Sequence, residues 1–84
     1  MSVVTVELFG KPGCHLCDDA RVVVDRVLED FPEAVLIERN ILDDPDWFET
    51  MKNDIPVVTI NSVRHAQWRV DDEGLRAALT EVNP

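Results

Sequence analysis

Cysteine is scarce in this 84-residue chain: there are two, Cys14 and Cys17, three positions apart. Two cysteines this close cannot be the disulfide framework of a small secreted domain, because the bridge closes only a tiny loop and its use is chemical. Long apolar runs are missing as well. The longest is a few residues, so no transmembrane helix fits. The N-terminus has no basic region followed by an apolar stretch and a cleavage site, which predicts no secretion signal and a cytoplasmic location. Cations are few: 8 Lys and Arg stand against 17 acidic residues, a formal net charge of −9. Such a chain is repelled by nucleic acid and by anionic membrane surfaces, so neither is expected as a partner. The same charge disfavours self-association and predicts a monomer. No internal repeat, low-complexity tract or linker interrupts the chain, and residues 1–84 read as one domain.

What the chain does have is 45% hydrophobic and 30% charged residues, the balance of a soluble globular domain rather than a disordered one. A domain of this size builds one modest core and has little stability to spare. Val3 to Phe9 is rich in β-branched and aromatic types and reads as a buried strand. Gly10 to Gly13 is a turn. From about Leu16 to Phe31 the apolar residues Ala20, Val23, Val24, Val27, Leu28 and Phe31 form a helical stripe, with Arg21, Asp25, Arg26, Glu29 and Asp30 on a solvated face. Pro32 ends it. Ala34 to Arg39 reads as a second strand, parallel to the first across a right-handed crossover.

Asp44-Pro45 is a helix start, an N-cap followed by proline at the first helical position. The short helix it opens runs to about Asn53, with Trp47, Phe48 and Met51 as its apolar face. Asp54 to Ile60 reads as a third strand, with Pro56 tolerated near its start. Asn61-Ser62 is a two-residue turn, and Val63 to Val70 returns as an antiparallel fourth strand. Asp71 caps a last helix whose apolar residues are Leu75, Ala78, Leu79 and Val82. The expected order is β-α-β-α-β-β-α.

The stretch Gly10-Lys11-Pro12-Gly13-Cys14-His15-Leu16-Cys17 holds both cysteines between a strand and a helix, a context that marks a dithiol redox motif. Thiolate is the nucleophile in thiol chemistry. A cysteine at a helix N-terminus gains from free backbone N–H groups and the positive end of the dipole. Residues three apart on a helix have Cβ atoms roughly 5–6 Å apart, close to what a disulfide needs. Cys14 is therefore expected to attack and Cys17 to resolve the mixed disulfide. Two other readings of the pair stay open at this point: inert core cysteines, and half of a zinc site. A closed structural zinc needs four ligands, and the soft donors here are Cys14, Cys17, His15 and His65, with His15 pointing away from the face the cysteines share.

Lys11, three before Cys14, reads as a cation for the thiolate or for a substrate carboxylate, or as a solvated turn lysine. His15 either lowers the Cys14 pKa when protonated or is exposed without that role. Asp18 and Asp19 place negative charge near the thiolate and are expected to make the pair more reducing. Alkylation of Cys14 followed against pH checks this, and reactivity far below an ordinary thiol pKa would contradict it.

Lys11 to Cys17, the later Ile55-Pro56-Val57-Val58 and the element order together resemble the glutaredoxin branch of the thioredoxin superfamily, over nearly the whole chain. Cys14-His15-Leu16-Cys17-Asp18 is similar in particular to a group of small, little-characterised glutaredoxin-like proteins. The resemblance implies an α/β thioredoxin-like fold, a four-stranded mixed sheet with helices on both faces. It implies thiol–disulfide exchange with Cys14 as nucleophile and Cys17 as resolving cysteine. Lys11 falls on a lysine that contacts glutathione, and His15 is grouped with it on the substrate side. Pro56 falls on a cis-proline that faces the dithiol, and Ile55 on the residue whose backbone hydrogen-bonds the bound thiol. A cis bond is uncommon enough to discriminate.

The implied partners are a disulfide-containing protein or a glutathione mixed disulfide, with a reductase or glutathione as electron donor. No bound cofactor is implied, and glutathione enters only as a co-substrate. Three departures stand beside the resemblance. Glutathione-using members usually carry a Gly-Gly pair after the fourth strand; here the region is Gln67-Trp68-Arg69-Val70-Asp71-Asp72. The usual Pro-Tyr between the cysteines is His15-Leu16, and the usual Thr-Val before the proline is Asp54-Ile55. Trp68-Arg69 is instead similar to glutaredoxin-like electron donors that thioredoxin reductase reduces. Trp68 reads as a dithiol shield or docking residue, or as a rim residue of the core. Two rival classes are a metal or iron–sulfur carrier using the same cysteines across a dimer, and a non-catalytic binding module. The joint presence of the dithiol and Ile55-Pro56 favours the enzyme.

Overall fold

The computed structural model describes residues 3–82. The elements are β1 (Val4–Gly10), α1 (His15–Leu28), β2 (Ala34–Asn40), a short 3-10 turn (Ile41–Asp43), α2 (Pro45–Met51), β3 (Val57–Ile60), β4 (Val63–Gln67) and α3 (Asp72–Val82). This is the expected order. The four strands form one sheet in the order β2-β1-β3-β4. β1 and β2 are parallel, in register from Val4 with Ala34 to Gly10 with Asn40. β3 is antiparallel to both β1 and β4.

Alternation along β1 divides the interior in two. Val4, Val6 and Leu8 face a larger cluster with Val58 and Ile60 of β3, Ala20, Val24 and Val27 of α1, and Leu75 and Leu79 of α3. Phe9, on the opposite face, joins Val57, Ile41, Ile55 and Cys17, with Trp47, Phe48 and Met51 of α2 packed against them. Helices therefore cover both faces. Phe9 and Trp47 meet edge to face, with ring centroids 5.4 Å apart.

The expected helix starts are correct. The Asp44 carboxylate accepts from the N–H groups of Asp46 (2.8 Å) and Trp47 (3.4 Å), with Pro45 at the first position. The Asp71 carboxylate accepts from Gly74 N–H at 2.9 Å. Asn61 and Ser62 both have positive φ, 50° and 69°, the geometry a tight hairpin turn between β3 and β4 requires.

Several ends differ from the sequence reading. α1 stops at Leu28 rather than Phe31, because Asp30 and Phe31 donate to Val27 and Leu28 in tighter, three-residue bonds. Phe31 still packs on the larger cluster. α2 ends at Met51 and β3 starts at Val57 instead of Asp54. Asp54 and Ile55 both donate to the Met51 carbonyl, at 2.8 and 3.1 Å, and so close the end of α2 rather than joining the sheet. β4 ends at Gln67, not Val70, because Trp68 takes a φ of 67° and leaves the strand direction. No helix among the described residues is long and apolar enough to cross a membrane.

Candidate active site

β1 delivers the chain to Gly10, and Gly13, with φ 77°, completes the turn into α1. Cys14 is the N-cap of α1, in an extended conformation (φ −99°, ψ 108°). Its Sγ accepts a hydrogen bond from the Cys17 N–H at 3.2 Å, and its carbonyl accepts from Asp18 N–H at 3.1 Å. One of the helix's unsatisfied donors is thus aimed at the sulfur, where it stabilises negative charge. Cys14 and Cys17 are joined as a disulfide, with Cα atoms 5.2 Å apart. The two sulfurs are not equally placed: Cys14 is half-buried, whereas Cys17 is only 8% exposed.

The smaller apolar cluster holds this pair from below. Cys17 is part of it with Phe9, Ile41, Ile55 and Val57, and Cys14 packs against it. Ile55, which the sequence set beside the dithiol, is brought there. The Ile55-Pro56 bond is cis, and Pro56 is fully buried. The expectation for Ile55's backbone is narrowed, however. Its N–H already donates to the Met51 carbonyl, so only its carbonyl remains to meet a bound thiol segment.

Lys11 is exposed and lines a cleft of about 380 Å³ that also reaches Gly10, Cys17, Asp18, Arg21 and Asn40. His15 is exposed at the first position of α1, outside the cluster that holds the cysteines. Trp68 is 53% exposed. Its indole N–H donates to the Asn53 carbonyl at 2.9 Å, and its backbone N–H donates to the Pro56 carbonyl at 2.8 Å. It therefore ties the end of β4 to the segment that carries the cis-proline. Leu16, Val23, Trp68 and Val70 flank a second, smaller groove beside α1.

Two features had no clear signal in the sequence. The Trp68–Asn53 bond joins residues of no shared motif. On the α2 side of the sheet, the Glu7 carboxylate accepts from Arg39 Nε (2.9 Å) and from the Thr59 hydroxyl (3.3 Å). A glutamate inside an apolar strand was the only hint that it needs partners. Arg39 also stands over the Trp47 ring, 5.6 Å from its centroid, so this network backs the apolar cluster under the dithiol. Among the described residues no group of three or more His, Cys, Asp or Glu side chains is arranged to hold a metal ion.

Residues 5–80 match the family described as the glutaredoxin-like domain (DUF836). The chain is 32% identical over 77 residues to a Dictyostelium discoideum protein named as a glutaredoxin-like protein YDR286C homolog, covering 86% of this chain and 71% of that one. It is 37% identical over 63 residues to a thioredoxin of Methanocaldococcus jannaschii, covering 73% and 74% of the two chains. Among solved structures, a structural-genomics protein of X. campestris superposes with a TM-score of 0.68 at 25% identity, over 94% of this chain and 99% of that one. Chloroplastic thioredoxin z superposes with a TM-score of 0.76 at 11% identity, over 95% and 78%, which shows the thioredoxin-like fold. With its dithiol on the strand-to-helix turn and its cis-proline in place, the chain belongs to the glutaredoxin-like family of the thioredoxin superfamily.

Proposed function

We propose that this protein is a thiol–disulfide oxidoreductase in which Cys14 attacks and Cys17 resolves. The observation that carries this reading is the asymmetry of the pair. Cys14 caps α1, half-exposed, with a backbone N–H on its sulfur. Cys17 is buried one turn later, within bonding reach of Cys14 but not of a bulky partner.

In the reducing direction the Cys14 thiolate attacks one sulfur of a substrate disulfide. The substrate S–S bond breaks, one substrate thiolate leaves and takes a proton from solvent, and Cys14 is left in a mixed disulfide. The Cys17 thiolate then attacks Cys14 Sγ, which releases the second substrate thiol and leaves the Cys14–Cys17 disulfide. Two electrons and two protons from a donor restore the dithiol. They come from two glutathione thiols, which leave as glutathione disulfide, or from a reductase.

The substrates that fit are a protein disulfide or a glutathione mixed disulfide. Lys11 faces a substrate carboxylate, and the Ile55 carbonyl accepts a hydrogen bond from the segment carrying the attacked sulfur. His15 borders the approach to Cys14. The protein acts as a cytoplasmic monomer and binds no cofactor. The test is to reduce the oxidised protein in parallel with glutathione plus its reductase and with thioredoxin reductase. Turnover with either supports the reading and names the donor, whereas no turnover with either defeats it.

A further inference from the structure

Gly10 is the last residue of β1 and pairs with Asn40 of β2. Its backbone does not call for glycine, since the glycine with positive φ is Gly13. Glycine in a strand costs stability relative to residues with a side chain and often marks a place where another group comes close. Here that group is Cys17. A Cβ at position 10 would lie 2.9 Å from Cys17 Sγ and 3.1 Å from Cys17 Cβ, both inside ordinary van der Waals separation. Cys17 cannot retreat as a whole, because Phe9, Ile41, Ile55 and Val57 enclose it and packed interiors leave little free volume.

We infer that Gly10 is a positioning residue for the redox pair: its missing side chain lets the Cys17 sulfur sit where Cys14 can bond it, and so sets the balance between dithiol and disulfide. This rests on the reading of the pair as redox-active. A methyl group at position 10 meets the two states differently. In the disulfide, Cys17 Sγ is tied to Cys14 Sγ and cannot swing away. In the dithiol, rotation about χ1 of Cys17 turns the sulfur off the methyl into another staggered position. The crowding at Cys17 Cβ is common to both states and cancels. Gly10→Ala therefore disfavours the disulfide selectively and makes the pair a stronger oxidant.

The protein and its Gly10→Ala variant are equilibrated in glutathione redox buffers, trapped by alkylation and weighed by mass spectrometry. The exchange is balanced: the Cys14–Cys17 bond breaks, two glutathione thiols become one glutathione disulfide, and their two electrons and two protons pass to the protein thiols. The expected result is a shift of the equilibrium constant toward the dithiol of about tenfold, or about 30 mV. Thermal unfolding of both redox forms accompanies it, and the oxidised variant is expected to fall further below its parent than the reduced variant does. A purely structural role would lower both forms alike and leave the constant unchanged. Constants that agree, or a shift toward the disulfide, overturn the inference. Should the oxidised variant not fold, its reduced form decides: a folded dithiol supports the inference and an unfolded one overturns it. If the parent itself forms no disulfide in any buffer, the redox reading fails first and the inference falls with it.

Discussion

Shortening Ile41 measures how firmly the floor of the dithiol is packed. Ile41 is fully buried in the cluster that contains Cys17, Phe9, Ile55 and Val57, so its removed atoms leave a cavity that rigid neighbours cannot refill. Ile-to-Val changes at such sites cost about 0.5–1.5 kcal/mol and Ile-to-Ala changes about 2–5 kcal/mol. At roughly 0.05–0.15 kcal/mol per residue, 84 residues give a total stability of about 4–13 kcal/mol. Ile41→Ala therefore removes a large share of it, while Ile41→Val leaves a folded protein whose melting temperature falls by about 4–8 °C for each kcal/mol. Urea unfolding of the reduced protein is the assay. The midpoint is expected to drop in that order with an unchanged slope, the sign of lost stability without a change in the surface exposed. Val63→Ala is the control: Val63 is 69% exposed, and its truncation is expected to stay within about 0.5 kcal/mol. If Ile41→Ala costs no more than Val63→Ala, the cluster does not support the dithiol as described.

Asp44→Ala removes the cap of α2 and is expected to cost about 1 kcal/mol, whereas Asp44→Asn keeps an acceptor and most of the stability; equal melting temperatures for the two variants would contradict the capping role. The Asp72 carboxylate takes hydrogen bonds from Arg76 (2.6 Å) and Arg26 (3.4 Å), and the Arg76 bond, the larger cause, holds its pKa below the usual carboxylate value. Because the folded pKa is the lower one, the contribution is present above the unfolded value of 3.8 and is lost as pH falls through the folded value. The stability gap between the parent and Asp72→Asn is thus expected to be constant near neutral pH and to close in the acid range below the ordinary carboxylate pKa, and a gap that persists there would refute it.

Much of the fold was legible because the local signals agree with the final packing. The stripe from Ala20 to Val27 does face the core, Asp44-Pro45 and Asp71 do open helices, and the Cys-x-x-Cys turn stands between β1 and α1. The misplaced ends of α2, β3 and β4 are set by individual hydrogen bonds. Whether Asp54 and Ile55 join a strand or close α2 depends on the Met51 carbonyl, and where β4 stops depends on Trp68 reaching Asn53 and Pro56. The bonds to Met51 span three and four residues and the Trp68 bonds are tertiary contacts, and no residue pattern announces either. The same holds within the site. Both cysteines and Ile55-Pro56 were readable as a motif, but the engagement of Ile55's N–H was not. Nor was the gap at Gly10, whose meaning depends on what lies across from it.

The most direct measurement is trapping. Cys17→Ser and Cys14→Ser variants are each reduced and mixed with a disulfide substrate, and the adducts are located by mass spectrometry. If Cys14 attacks and Cys17 resolves, the Cys17→Ser protein accumulates a stable mixed disulfide at Cys14, and the Cys14→Ser protein forms little or none. An adduct that forms at Cys17 of the Cys14→Ser protein just as readily would contradict the assignment.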